Sequence, residues 1–194
     1  KMNYAAVDRG GDVEEVEVLQ EWANLVVSTD TTDDAPEFIR KVVRPVNAQN
    51  GYSLPVSAFT GREDGTWDNG TTKYEKRGVA VNVPVWQPEN CIQCNQCAYV
   101  CPHATIRPFM LDEEEQKSVG EGVELLKAQG KQFAGMGFRI QVDVLDCLGC
   151  GNCADVCPGR KGEKALEMVS IESQLENQKN WDWMMENVTS KAHL

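Results

Sequence analysis

Eight cysteines, set in two identical runs, constrain this chain more than anything else in it. The first run is Cys91, Cys94, Cys97 and Cys101, followed by Pro102; the second is Cys147, Cys150, Cys153 and Cys157, followed by Pro158. Each reads C-x2-C-x2-C-x3-C-P, and no cysteine is left over for another task. Every cysteine of the second run follows its counterpart at one constant interval. That is the mark of an internal duplication, and it predicts a pseudo-two-fold arrangement. Three closely spaced thiolates wrap three irons of one 4Fe–4S cubane, while the fourth cysteine of such a run points away and ligates the other cluster. The expected sets are Cys91, Cys94, Cys97 and Cys157 for one cluster and Cys147, Cys150, Cys153 and Cys101 for the other.

Zinc is the competing use of such cysteines. It takes four ligands in two pairs, usually with a longer gap between the pairs, and has no need of triplets plus one. Disulfides fit less well still, because cysteines three apart in a tight loop have poor bridging geometry. The chain also opens Lys1-Met2-Asn3-Tyr4, without the apolar core of a secretory signal.

The 194 residues suffice for one or two small domains. No apolar run approaches the roughly 18 residues of a membrane span, so a cytoplasmic protein with no membrane partner is expected. The formal charge of −11 argues against nucleic acid, whose phosphates call for a basic patch. Acidity either steers a redox partner or simply keeps the chain in solution. No phosphate-binding loop and no G-x-G-x-x-G stands in the sequence. His103 and His193 are the only histidines, and no catalytic constellation forms around them.

Periodicity outlines the rest. Val16, Leu19, Ala23 and Val26 fall near helical spacing, with a polar break at residues 31–34. Pro36 is placed to open a short helix through Phe38, Ile39, Val42 and Val43, which Pro45 should end. Residues 51–78 are rich in turn formers and read as a long irregular loop, suited to wrapping over a neighbouring domain. Val79, Val81, Val83 and Val85 alternate as a half-buried strand, as do Phe138, Ile140, Val142 and Val144. Ile106 after the first loop, and Leu166, Met168 and Ile171 after the second, are the candidate return strands. Each half thus reads strand, cysteine loop, short helix, strand.

Residues 110–137 form an insertion, with a helix expected to start at Asp112–Glu115, carry Val119, Val123, Leu126 and Leu125 on one side, and stop at Gly130, Gly135 and Gly137. Trp181, Met184, Met185 and Val188 mark a terminal amphipathic helix. The divisions expected are a connector over 1–78, a two-cluster domain over 79–170 with its insertion, and a terminal helix over 171–194. The fold class is α+β, a bacterial ferredoxin-like module with two 4Fe–4S clusters, an inserted helix and an N-terminal connector segment. Gly149 and Gly151 in the second loop stand where Gln93 and Asn95 stand in the first, so the two cluster environments differ.

Beyond the cysteines, three stretches are more specific. They are Ser53-Leu54-Pro55-Val56-Ser57-Ala58-Phe59, the run DGTWDNGT from Asp64 to Thr71, and KRGVAVNVPVWQPENCIQCNQCAYVCPHATIRPF from Lys76 to Phe109. With LDCLGCGNCADVCPG from Leu145 to Gly159, they resemble pyruvate:ferredoxin (flavodoxin) oxidoreductase, well from about Ser53 to Met168 and more weakly at both ends. The resemblance implies a much longer anaerobic enzyme, homo-oligomeric, that oxidatively decarboxylates pyruvate with coenzyme A to acetyl-CoA and carbon dioxide. It uses thiamine diphosphate with magnesium, and its electrons leave through the two clusters to external ferredoxin or flavodoxin. This chain lacks the GDG-then-Asn-Asn pattern for thiamine diphosphate and cysteines for a third cluster. With its start at Lys1, it reads as an excised segment whose partners are the remaining domains of that enzyme. The alternative is a free-standing two-cluster electron-transfer subunit of another anaerobic oxidoreductase. A cluster-stapled, non-redox interaction domain ranks below both.

Overall fold

The computed structural model describes residues 2–24 and 34–192; Val26, residues 31–33 of the polar break and His193 lie outside them. The chain divides into two compact units, residues 1–65 and 66–194.

In the first unit, α1 (Met2–Asp8) is followed by a 3-10 turn at Arg9–Gly11 and another at Gln20–Asn24. The helix expected through Val16 and Leu19 does not form. Residues 12–19 are irregular and exposed: among the described residues their apolar side is buried against nothing, and a short amphipathic segment is marginal on its own. Ile39, Val42 and Val43 are buried as their spacing suggests. Pro45 does not end this helix. The turn Ile39–Val43 is a π-helix, in which the Arg44 N–H reaches back to the Ile39 carbonyl, and α2 (Arg44–Asn47) carries Pro45 in its first turn. Widening the helix before the proline relieves its ring's clash with the preceding turn. The segment after it holds short 3-10 turns at Gly51–Ser53 and Val56–Phe59, and the Arg62 guanidinium stacks 3.9 Å over the Phe38 ring.

The second unit carries the duplication. Its strands are β1 (Asn82–Trp86), β2 (Ile106–Leu111), β3 (Leu126–Lys127), β4 (Gly137–Val142) and β5 (Leu166–Ser170). β1 pairs antiparallel with β5, β2 pairs antiparallel with β4, and β3 adds to the other edge of β4. The strand that enters each cysteine loop therefore pairs with the strand that leaves the other. Pro84 and Pro108 are tolerated because β1 and β2 are edge strands. β1 begins later than the valine alternation suggests, and Val79 and Val81 stay exposed. Val83, Ile106, Ile140, Val142, Val144 and Leu166 fill the interior together with Cys91, Cys97, Cys147 and Cys153.

The insertion is less helical than its pattern. α4 (Glu113–Ser118) stops at Val119, ahead of Gly120 and Gly122, and Leu126 joins β3 instead. Asp112 caps α4 in a capping box with Glu115, the pattern that an acidic helix start favours. After α5 (Asn152–Asp155) and β5, a 3-10 run at Ile171–Asn177 leads into α6 (Gln178–Asn187). Trp181 and Met184 of α6 pack on Phe109 and Leu111 of β2, with Val119, Val123 and Leu125 of the insertion around them. Phe109 and Trp181 meet edge to face at 5.9 Å.

Beyond α6 the chain is clipped back onto α4. Thr189 donates through N–H and hydroxyl to Glu115 Oε1, both at 2.9 Å, and Lys191 Nζ lies 2.7 Å from the same oxygen. Burial alone would raise the Glu115 carboxyl, but Lys191, Thr189 and the Asp112 N–H outweigh it and hold it below the ordinary glutamate value. A lowered carboxylate stabilises the fold above its unfolded value, here 4.5, and that contribution disappears as pH falls through the lower folded value. The protection factor of the Thr189 amide, which is its exchange rate relative to the free-peptide rate at the same pH, is therefore expected to fall on acidification below pH 4.5, and Glu115→Gln should weaken this pH dependence.

Candidate iron–sulfur centres

The loop between β1 and α3 (Gln96–Val100) carries Cys91 and Cys94, with Cys97 in α3 and Cys101 just past it; likewise Cys147 and Cys150 lie between β4 and α5, with Cys153 in α5 and Cys157 beyond it. Both loops need left-handed backbone twice, at Gln93 and Asn95 in one and at Gly149 and Gly151 in the other. These turns aim backbone N–H groups at sulfur: Gln93 N–H at Cys91 Sγ and Gly149 N–H at Cys147 Sγ, each at 3.4 Å. At Gly149 no other residue fits, because an added Cβ would sit 2.7 Å from the Asn82 carbonyl oxygen. Gln93 tolerates the same conformation because its amide is held at both ends by the insertion. Its Nε2 donates to the Lys127 carbonyl at 2.8 Å, and its Oε1 accepts from the Gln129 N–H at 3.0 Å.

Two cavities open inside this unit. One is lined by Cys91, Cys94, Cys97 and Cys157, with Trp86, Ile92, Asn95, Ile140, Gly159, Ala165 and Leu166. The other is lined by Cys101, Cys147, Cys150 and Cys153, with Pro84, Pro102, His103, Thr105, Ile106, Val142, Leu148 and Met168 among its walls. Each thus takes three cysteines of one run and the fourth of the other. Cys94 and Cys150 are exposed, whereas the first and third cysteines of each run are buried. His103 lies at the rim of the second cavity with its side chain exposed.

The sulfurs do not share one electrostatic setting. Burial pushes the Cys97 thiol up to about 12 and Cys153 up to about 11, against N–H groups of Ala98 and Ala154 that favour thiolate. Burial also raises Cys147, with the Gly149 N–H opposing. At Cys101 burial is outweighed by Thr105, whose hydroxyl and N–H both lie 3.4 Å from Sγ, and the thiol is lowered. Buried thiols of this kind become thiolates only when a cationic group is supplied alongside them.

The donor set fits 4Fe–4S cubanes. Each cavity offers four sulfurs and an otherwise largely apolar wall, and at the first cavity the Trp86 Nε1–H and Asn95 Oδ1 are buried without a partner. Among the described residues, no three His, Cys, Asp or Glu side chains gather closely enough to hold a single metal ion. Four sulfurs spread around a cavity suit the separate corners of a cubane, whereas zinc draws every thiolate to about 2.3 Å. No helix among the described residues is long and apolar enough to cross a membrane.

Two family models match separate stretches of the chain. Residues 26–80 match a family described as a domain of unknown function, and residues 90–160 match the 4Fe–4S dicluster domain family. Pyruvate:ferredoxin oxidoreductase of Moorella thermoacetica is 55% identical over 88% of this chain and 14% of its own length. Pyruvate-flavodoxin oxidoreductase of Enterobacter agglomerans is 48% identical over 99% of this chain and 16% of its own length. The chain belongs with one segment of the pyruvate:ferredoxin (flavodoxin) oxidoreductases. A third relative, the mitochondrial pyruvate dehydrogenase (NADP+) of Euglena gracilis, is 43% identical over 94% of the chain and 10% of its own. The chain spans only about a seventh of the length of the first two relatives. The α+β, ferredoxin-like architecture expected from the cysteine runs is the one this family carries.

Sequence reading missed three participants near the cavities. Trp86 stands at the offset before Cys91 that Val142 holds before Cys147, a break in the duplication that was visible in the sequence. Thr105 became apparent only through its approach to Cys101. Lys76, which bridges Asp143 and Asp146, lies too far away in sequence for spacing to connect it.

Proposed function

We propose that this segment relays electrons inside a 2-oxoacid oxidoreductase that oxidises pyruvate with coenzyme A and passes electrons to an external carrier. Cys91, Cys94, Cys97 and Cys157 would hold one 4Fe–4S cluster, and Cys147, Cys150, Cys153 and Cys101 the other. The observation that carries this reading is the pair of cavities, each walled by three cysteines of one run and one of the other. When bound, the clusters supply one-electron redox chemistry at low potential.

The chain's own residues do the remaining work. Gln93 and Gly149 N–H groups donate to sulfur, the apolar walls exclude water, and the antiparallel pairs β1·β5 and β2·β4 hold the two sites in one rigid core. The relatives are named for three acceptors, namely ferredoxin, flavodoxin and NADP+, yet all three share this segment. A stretch common to enzymes with different acceptors suits an internal relay better than an acceptor-specific binding site. Thiamine diphosphate, magnesium and coenzyme A belong to the other domains of the parent enzyme, which are this segment's first partners; ferredoxin or flavodoxin is the outer one.

Anaerobically prepared chain should contain about eight iron and about eight sulfide and give a spin-coupled EPR signal after dithionite reduction. Zinc in place of iron, with no signal, would remove the electron-transfer reading.

A further inference from the structure

The duplication gives each residue around one cavity a counterpart at the other, and their charges do not match. Asp143 and Asp146 precede Cys147 at the offsets where Gln87 and Asn90 precede Cys91. The backbone is wired alike around both. The Asp143 N–H donates to the Thr105 carbonyl at 2.7 Å, and the Thr105 N–H to Cys101 Sγ at 3.4 Å. The Gln87 N–H donates to the Ala165 carbonyl at 2.9 Å, and the Ala165 N–H to Cys157 Sγ at 3.3 Å. The Cys147 N–H closes the second arrangement by donating to the Asp143 carbonyl at 3.0 Å. One equivalent position, four residues before the first cysteine of each run and behind the cavity wall, therefore carries a neutral amide at Gln87 and a carboxylate, 2% exposed, at Asp143.

Lys76 pairs with both Asp143 and Asp146, which leaves this triad one negative charge in excess. The first cavity has a different neighbourhood. The Arg139 guanidinium lies 5.4 Å from the centroid of Trp86, which walls that cavity. Arg160 Nη2 is 3.5 Å from the Cys91 carbonyl oxygen, and Glu167 accepts from Gln87 Nε2 at 2.9 Å. Arg160 and Glu167 are exposed and of opposite sign, so water and salt screen what little they leave. The Trp86 Nε1–H, buried without a partner, is a donor that Val142 cannot match at the second cavity.

From this asymmetry we infer that the site walled by Cys147, Cys150, Cys153 and Cys101 has the lower reduction potential of the two, and that Asp143 is the positioning residue that separates them. The ordering rests on the two-cluster reading above. Reduction adds one negative charge to a site; a buried carboxylate beside it opposes that charge in a low dielectric, while N–H donors to sulfur favour it.

The test is a dithionite titration of the anaerobic chain with redox mediators, followed by EPR, with iron and sulfide counted on every sample. Asp143→Asn raises the lower couple by about tenfold in its reduction equilibrium, which is about 59 mV for one electron, and leaves the upper couple in place. Gln87→Glu installs the missing carboxylate and lowers the upper couple. Lys76→Met removes the compensating ammonium and lowers the lower couple further. An iron-replete Asp143→Asn chain that shifts the upper couple, or neither, overturns the inference. Should Asp143→Asn lose iron, the inference stands only if Gln87→Glu lowers the upper couple and Lys76→Met the lower one, and is overturned otherwise. A parent chain that binds no iron overturns the two-cluster reading itself, which an iron-replete chain with unmoved couples leaves intact.

Discussion

Cys101→Ala is expected to strip iron from the site built on Cys147, Cys150 and Cys153 while the site of its own run stays loaded. Cys157→Ala should do the reverse, emptying the site built on Cys91, Cys94 and Cys97. Each variant should retain about four of about eight irons and lose the spin coupling between the two sites. The reason is geometric: Cys101 walls the cavity of the second run and Cys157 that of the first. Iron analysis with EPR of the reduced variants measures this directly. Loss of the same-run site in either variant would sink the crossed assignment. The two variants also differ in the environment they disturb, because Cys101 is the sulfur that Thr105 approaches with both hydroxyl and N–H.

The second large effect is structural. Gly159 has φ of +57°, and an added Cβ would lie 1.7 Å from the Glu163 carbonyl oxygen and 2.4 Å from its carbon. These are backbone atoms, held by the reciprocal Arg160 and Glu163 hydrogen bonds of 3.0 Å that close the loop after the second run. Nothing flexible is available to move aside. Gly159→Ala should therefore cost more than about 3 kcal/mol and open the first cavity, which Gly159 lines. Gly162→Ala is the matched control. Its φ of +90° is also left-handed, but nothing lies within 4 Å of the added methyl, and it lines neither cysteine cavity. It should cost only the backbone strain, about 1–2 kcal/mol. Thermal unfolding of the anaerobic proteins, read together with bound iron, separates the two. Equal losses would mean that strain alone, and not the collision at Glu163, governs the site.

The pieces that were legible in the sequence share one property, which is that their signals are local. Alternation placed β4 on Phe138, Ile140 and Val142, and an acidic stretch placed the start of α4 at Asp112–Glu115. The pieces that were not legible depend on what lies opposite. The spacing of Val16 and Leu19 suggested a helix, yet a short amphipathic segment needs a surface to cover, and residues 12–19 stay exposed. Val119, Val123 and Leu126 looked like one helix face, but Val119 and Val123 pack against β2 and α6 without a helix, and Leu126 joins β3 on the other core. Pro45 reads locally as a stop, and a π-turn in the preceding residues carries the helix past it.

By itself, the sequence determined the fold class and the family segment, because two cysteine runs at fixed spacing, each between alternating apolar stretches, admit few architectures. Only the tertiary structure decided where the heavy apolar load of α6 goes, onto Phe109 and Leu111, and which distant charge meets which acid. Lys76 finds Asp143 and Asp146 because the run before β1 is stitched to the second loop, the Gly78 N–H donating to the Leu145 carbonyl at 2.9 Å. Spacing encodes contacts within a loop or along one element. Contacts between elements are set by how strands interleave, and no periodicity in a single chain records that.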